Sequence, residues 1–459
     1  MFKRSRINFF TLLLLTVFVL TSGFGCKWNP FQTEKELFQP ITLEYWGVWD
    51  TPQQMSELIK AYRSSHPTIS VNYRNFRYDE YERKLLEAWA DDRGPDIFAI
   101  PATWLKNYQH FLEPMPPSVR IPVYEMQGSI KKEVVTVLRD FRGLSTFELK
   151  DRYVPVVYDD VVMDDKIYGL PYSIDTLVTF YNIDLLNQAG IPEPMEDFFE
   201  LVDQTPKLTK VTQDNRILQS AVALGGTDNI PRFFDVFSSI MIQNGVNVHG
   251  SWFDPISNND SATRLEQVLG FYTDFARPNK ASYSWNKDMP NAFDLFVDGR
   301  LAYFFGYSYH ADQLRDSGLQ FDWGIKPFPQ TRGAEGTKYF TNYWVNVVPK
   351  KSKNKNAAWN FVQSTASEDL VKVYLGENKR PTALRSLING QLADYDISTF
   401  ASQVLTADNW YEGYNINLAE KYVADILDDL VSGELVIDQG RATLQLFVNR
   451  INQTYQKTE

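Results

Sequence analysis

The stretch GLPYSIDTLVTFYNIDLL, residues 169–186, puts a carboxylate, Asp175, at the mouth of an apolar strand that runs on through Val178, Phe180 and Tyr181. A strand that only filled a core would not need an acid there. Two further groups of the same kind stand at strand mouths. Trp46, Trp49 and Asp50 follow the alternating run from Ile41, and Thr103 and Trp104 follow the apolar segment Ile97–Ile100. Carboxylates accept hydrogen bonds, and indole rings offer a flat apolar face with one polar atom. Together they suit non-covalent capture of a small polar molecule better than bond-breaking. Chain-wide aromatic content is 15%, which supplies rings beyond those a core requires.

Catalytic and metal chemistry find little support. No nucleophile elbow or phosphate-cradling glycine loop occurs. The histidines, at 66, 110, 249 and 310, are too scattered for a metal cluster, and neither a metal nor a cofactor is expected. Asp159-Asp160 and Asp164-Asp165 read as solvated acids of a surface hairpin. A net charge of −11, with no long basic run, argues against nucleic-acid binding.

The elements that would hold these residues alternate. Ile41, Leu43 and Tyr45 have strand period. Thr51-Pro52-Gln53-Gln54 is a capping box with proline at the first helical position, and Met55, Leu58, Ile59 and Tyr62 repeat with helical period. A strand through Ile69, Val71 and Tyr73 follows, then a helix through Tyr81, Leu85, Ala88 and Trp89, then the strand at 96–100. Strand–helix alternation predicts a parallel sheet covered by helices, with ligands outside the carboxyl ends of its strands. Downstream, VVMDDKIYGLPY reads as a hairpin turning at Asp164-Asp165. Strands are predicted at 176–181, 301–305, 322–326 and 344–348, and mostly helix beyond Asn356.

The N-terminus carries an address. Lys3, Arg4 and Arg6 precede an apolar run from Ile7 to Leu20 and then small residues, the layout of an export signal. Cys26 is the only cysteine, so no internal disulfide is expected. Its place after that signal resembles a bacterial lipoprotein, whose cysteine is lipidated. Gly23 and Phe24 depart from the usual residues before such a cysteine.

The segments ITLEYWGVW, GPDIFAI, KIYGLPYSIDTLVTFYNIDLL, FVDGRLAYFFGYSY, WGIKPFPQ and VVPKKSKNKNAAWNFVQ resemble, in order, the extracellular solute-binding lipoproteins of bacterial ABC importers, in the class that includes maltodextrin- and other sugar-binding proteins. The chain departs from that pattern at TNYWVNVVP and in a long insert, Met115 to Pro155. The resemblance implies a two-lobed α/β fold of the periplasmic-binding-protein type (type II) with a hinge and an interlobe cleft. It implies a signal peptide at 1–25, a lipidated tether at 26–39, a first lobe from 40–175 plus 301–345, and a second lobe from 176–300 plus 346–459. The chain would cross near Asp175, return near Leu301 and cross again near Trp344.

The resemblance also implies a sugar in the cleft, stacked on rings and bonded by carboxylates and amides. Besides Trp46, Trp49, Asp50, Thr103 and Trp104, it points to Tyr172 and Asp175 at the hinge floor and to Tyr307 and Tyr309 on the cleft wall. Asn342, Tyr343 and Trp344 fall at a crossover, Arg380 in a ligand-side loop, and Trp410 either on the second-lobe platform or in the core. Expected partners are a small molecule, most simply a mono- or oligosaccharide, the permease subunits of an ABC importer, and the membrane through the lipid anchor, with the protein itself a monomer. Three alternatives remain open: a non-sugar ligand such as a polyamine, peptide or phosphodiester; a secreted carbohydrate-active enzyme; and a lipoprotein serving as an adhesin or scaffold.

Overall fold

The computed structural model describes residues 38–129, 131–246, 254, 256, 259–437 and 441–457. The export signal and Cys26 lie outside the described residues, as does His249. Among the described residues no helix is long and apolar enough to cross a membrane.

Two five-stranded sheets organise residues 41–457. In the first, the strands run in the order Ile69–Asn75, Ile41–Gly47, Ile97–Pro101, Trp344–Val347, Gly169–Leu170. Its first three strands are parallel, as the strand–helix alternation requires, and Trp344–Val347 joins antiparallel. Helix Pro52–Arg63 forms where the sequence places it. Thr51 and Gln54 close the capping box, and Met55, Leu58 and Tyr62 are the buried face. Helix Tyr78–Ala90 buries Tyr81, Leu85 and Trp89.

The second sheet has the order Lys210–Val211, Ile217–Val222, Leu301–Gly306, Val178–Asn182, Trp323–Pro327. Val178–Asn182 pairs antiparallel with both Leu301–Gly306 and Trp323–Pro327. Each sheet has its own apolar core. One is built around Leu43, Ile97, Trp359 and Val345, the other around Phe180, Phe237, Tyr303 and Trp410.

The chain passes between these lobes along a small three-stranded sheet made of Ala407–Asp408, Tyr339–Asn342 and Asp175–Thr176. Ile174 packs in the first core and Leu177 in the second; Phe340 packs in the second and Tyr343 in the first; Ala407 packs in the first and Trp410 in the second. The expected return near Leu301 is therefore corrected. Leu301–Gly306 is an inner strand of the second sheet, and the return falls at Thr341-Asn342. The side chain of Gln403, fully buried, ties this hinge together. It donates to the Thr176 hydroxyl (2.8 Å) and the Leu177 carbonyl (2.9 Å) and accepts the Phe328 N–H (2.9 Å). A buried amide satisfied on both ends fixes the crossing strands in register.

The insert forms a ribbon, Ser118–Gln127 paired antiparallel with Glu133–Arg142. Two strands alone are marginal in water. This ribbon is braced by the first lobe: the Tyr124 N–H bonds the Ser65 carbonyl at 2.9 Å, and Gln363 donates to the Arg142 carbonyl at 2.7 Å.

Candidate binding site

The first wall of the interlobe seam starts at Gly47. A side chain there would collide with the Tyr73 hydroxyl, which reaches the Asp50 carbonyl at 2.8 Å and so fixes the Trp49-Asp50 loop. The Trp49 ring, 55% exposed, lies nearly parallel to Tyr78, 45% exposed, with centroids 5.9 Å apart. Trp344 meets both rings edge-on at 6.1 and 6.2 Å, and Trp104 stands 6.5 Å from Tyr78. Edge and offset contacts at such distances hold aromatic rings in place. The wall is a row of rings whose outer members are open to solvent.

Asp50 turns the other way. Its carboxylate accepts the Tyr374 hydroxyl at 3.1 and 3.2 Å and pairs with Arg380 at 3.1 Å. The loop carrying Arg380 is tied to the hinge, because the Pro381 carbonyl accepts the Ile174 N–H at 3.0 Å. Burial works against the Arg380 charge, but Tyr374, Asp50 and Asp175 outweigh it and hold the guanidinium firmly protonated.

The Asp175 carboxylate accepts the Ser308 N–H (3.0 Å), the Ser308 hydroxyl (2.6 Å) and the Thr176 N–H (3.0 Å). Asn342 is its partner in strand register. Burial pushes the Asp175 acid up to about 6, against the pull of these donors and of Arg380.

The second wall carries residues that sequence reasoning missed. Arg232 takes a left-handed backbone (φ 59°) just before helix Phe233–Gln243. Its guanidinium pairs with Asp235 at 2.6 Å and lies over the Tyr307 ring at 5.9 Å. Asp235, 2% exposed, also accepts the Tyr307 hydroxyl at 2.5 Å. Tyr309, 42% exposed, lies nearly parallel to Tyr307 with centroids 6.3 Å apart.

Glu420, on helix Ile416–Ser432, is half-buried, and no described residue donates a hydrogen bond to it. Burial pushes its carboxyl up from the ordinary glutamate value, Arg232 pulls it down and Asp235 pushes it up again. Burial pushes the Tyr78 phenol up, with Arg232 pulling against it and Glu420, Glu82 and Asp235 adding to it. Exposed rings thus oppose a carboxylate with free acceptor capacity and an ion pair. The arrangement can stack a flat molecule and accept its hydroxyl protons.

Several expected residues take other places. Trp410 is fully buried in the second core and donates to the Ser238 hydroxyl at 2.7 Å, so the platform reading gives way to packing. Tyr172 is buried, bonded to the Thr365 hydroxyl at 2.8 Å. Tyr307 is buried behind Tyr309. Trp46 is buried against Phe76, centroids 4.6 Å apart, and Trp104 is buried against Tyr108 at 5.6 Å. Thr103 is half-buried beside Trp104. Tyr343 is buried and donates to Asp160 at 2.6 Å.

Asp160 itself is corrected. It lies half-buried in helix Pro155–Val161, not in the hairpin, and burial pushes it up to about 7. It lines a cavity of about 570 Å³ together with Asp159, Asp164, Asp165, Asp408 and Glu412. Among the described residues no cluster of His, Cys, Asp and Glu is placed to hold a metal ion.

A second cavity, of about 420 Å³, opens between the lobes next to the ring row. Glu82, Trp104 and Asn107 line it from one side, and Tyr414 to Leu418 with Lys421 from the other.

The chain is similar to known proteins over most of its length. A sequence model of the family described as bacterial extracellular solute-binding protein matches residues 49–372. The galactooligosaccharide-binding protein of Bacillus subtilis (strain 168) is 22% identical over 390 residues, covering 83% of this chain and 81% of that protein. Among solved structures, the sugar-binding protein MalE of the phytopathogen Xanthomonas citri matches with a TM-score of 0.69 at 18% identity, covering 90% of this chain and 97% of that one. The cyclic α-maltosyl-1,6-maltose binding protein of Arthrobacter globiformis matches with a TM-score of 0.69 at 15% identity, covering 91% and 100%. At these identities the likeness is one of fold, and it bears out the two-lobed α/β architecture.

Proposed function

The chain belongs to the bacterial extracellular solute-binding protein family, and from that premise we propose that it captures a sugar between its lobes and delivers it to the permease of an ABC importer. The observation that carries the sugar reading is the seam itself. Exposed Tyr78, with Trp49 stacked beside it, feels the charges of Arg232, Asp235 and Glu420, and Glu420 has no hydrogen-bond donor among the described residues. A pyranose has an apolar face for the rings and a rim of hydroxyls for the acids. The names of relatives agree, since a galactooligosaccharide-binding protein is among them. A hydroxyl bonded to a charged acceptor contributes about 1.5–3 kcal/mol net. Micromolar affinity needs about 8 kcal/mol, so a few such bonds and two stacked rings are enough after ordering costs.

Ligand that touches both walls favours the closed arrangement by its differential affinity, with the three-stranded crossing as the hinge. Calorimetry against sugars, polyamines and peptides tests the ligand class. A sugar that binds should raise the melting temperature and shrink the radius of gyration in solution scattering. Tight binding with neither change removes the hinge from the mechanism, and release of free glycan during incubation makes the protein an enzyme.

The protein would act outside the cytoplasm as a monomer, held to the membrane through lipidated Cys26. Labelling of the expressed chain with a fatty-acid analogue, lost in Cys26→Ser, tests the anchor.

A further inference from the structure

The insert does not line the seam. Its ribbon, Ser118–Gln127 with Glu133–Arg142, docks at the other end of the first sheet. The Tyr124 N–H bonds the Ser65 carbonyl at 2.9 Å, and the Phe141 ring lies 6.0 Å from that of His66. Ser65 and His66 belong to the loop that leads into the amino end of strand Ile69–Asn75. Trp49 follows the carboxyl end of strand Ile41–Gly47, which runs parallel to that strand. Rings and ribbon therefore stand at opposite ends of one sheet.

The same loop holds the point where the chain leaves the sheet toward Cys26. The Ile41 N–H bonds the Thr68 carbonyl at 2.7 Å, three residues from the Ser65 carbonyl that holds Tyr124. A fully extended chain from Cys26 to Ile41 reaches at most about 50 Å. The lipid proposed for Cys26 would keep this end of the molecule within that distance of a bilayer.

The ribbon is two-faced. Val119, Ile121 and Val123 point one way and are buried. Residues opposite one another in register share a face, and the pairs Tyr124–Thr136 and Met126–Val134 turn the other way. Tyr124, Met126 and Val134 are exposed, Met126 by 70%. Lys131 and Lys132 lead into the second strand beside them, Lys131 paired with Glu133 at 2.8 Å. Five basic side chains and three acids lie between Ser118 and Arg142, so the ribbon is net positive in a chain whose net charge is −11.

Resting on the anchor at Cys26, we propose that this face of the ribbon is a membrane-contact surface: Tyr124, Met126 and Val134 enter the headgroup boundary of an anionic bilayer while Lys131 and Lys132 meet its phosphates. Apolar burial and attraction to anionic lipid add in such contacts, and tyrosine settles at the headgroup level. The contact turns the seam away from the bilayer, open to arriving solute. With three apolar side chains it is weak and reversible, as delivery to a permease in the same membrane requires.

The test uses the exported chain carrying Cys26→Ser, so that the result does not depend on lipidation. Cys26 is the only cysteine, so Met126→Cys then accepts a single environment-sensitive dye. Phe199→Cys, exposed on helix Phe198–Leu208 of the second lobe, is the control. On vesicles of phosphatidylglycerol and phosphatidylethanolamine the dye at 126 should brighten and shift to the blue, and the dye at 199 should not. On phosphatidylcholine vesicles the response at 126 should be much weaker. Partitioning should fall about tenfold or more in Lys131→Gln with Lys132→Gln, and by a similar factor in Tyr124→Ser with Val134→Ser, with thermal melts checking that both variants fold. No response at 126 on the anionic vesicles overturns the membrane contact, and so does an equal response at 126 and 199. A dimer in sedimentation that Val134→Ser disperses gives the face to a second copy and overturns it as well. If the wild-type chain takes up no fatty-acid label, the anchor alone falls, and the vesicle result still decides the ribbon.

Discussion

The Asp175 carboxylate caps the helix Ser308–Asp316, accepting the Ser308 N–H at 3.0 Å and its hydroxyl at 2.6 Å. A third bond, from the Thr176 N–H, leaves this carboxylate little acceptor capacity for a ligand. The acid that the sequence marks most clearly therefore serves the hinge first.

Replacing it should show that. Asp175→Ala removes a helix cap and is expected to cost about 1 kcal/mol or somewhat more in denaturant unfolding. Its effect on ligand affinity should be smaller than that of a change at Glu420. A variant of unchanged stability that no longer binds ligand would reverse this assignment.

Glu420 has the opposite profile. It pays for partial burial without a hydrogen-bond donor, which makes sense only if a ligand supplies one. Glu420→Gln should lose about 1.5–3 kcal/mol of binding, roughly ten- to hundredfold in Kd, while the unliganded protein is as stable as before or more so. Because burial holds its carboxyl above the ordinary glutamate value, wild-type affinity should fall as pH drops through the weakly acidic range, and the glutamine variant should flatten that loss. Titration calorimetry at several pH values reads both effects.

Much of this was legible from spacing alone. The capping box at Thr51 and Gln54, the turn at Asp164-Asp165 and the strand mouth at Trp49 all follow from local rules, and all are where those rules put them. What failed was non-local. Leu301–Gly306 pairs with Val178–Asn182, more than a hundred residues earlier, and nothing in either segment says which sheet it will join. The site divided along the same line. Trp49 could be read from the end of its strand. Tyr78 opens the helix after the strand Ile69–Asn75, and only the packed structure shows its ring beside Trp49. Arg232 and Glu420 come from a loop and a late helix that face the rings only once the second lobe is assembled. Trp410 could be read as platform or core, because a tryptophan among polar residues gives no sign of burial until the core around Phe234 is in place, with the two rings 5.8 Å apart.

Exposed and buried rings should accordingly separate binding from stability. Trp49→Ala and Tyr78→Ala remove rings that are about half open to solvent, and each is expected to cost about 1–2 kcal/mol of binding with little change in unfolding. Trp410→Ala deletes a fully buried indole and should cost about 3–5 kcal/mol of stability. Paired melts and binding titrations on the three variants decide the matter. Equal losses of stability in all three would remove the distinction between wall and core.

The acid of Asp160 is pushed up to about 7 by burial and by the nearby charges of Asp159 and Glu412, against bonds from Tyr343 and Asn409. The unfolded chain holds this group at the ordinary aspartate value, near 3.8. Between those values the folded protein binds the proton and the unfolded chain does not, so this group's contribution to stability grows as pH falls from about 8 toward 5. Above about 8 the folded state bears the full cost of a buried charge in a cavity that already holds Asp159, Asp164, Asp165, Asp408 and Glu412. Asp160→Asn keeps an acceptor for the Tyr343 hydroxyl and removes the titration. The variant should be more stable than wild type at pH 8, and the gap should close by pH 5. Urea unfolding at the two pH values measures it. A gap that is the same at both would mean that Asp160 stays ionised in the folded protein throughout, with the Tyr343 and Asn409 bonds outweighing its burial.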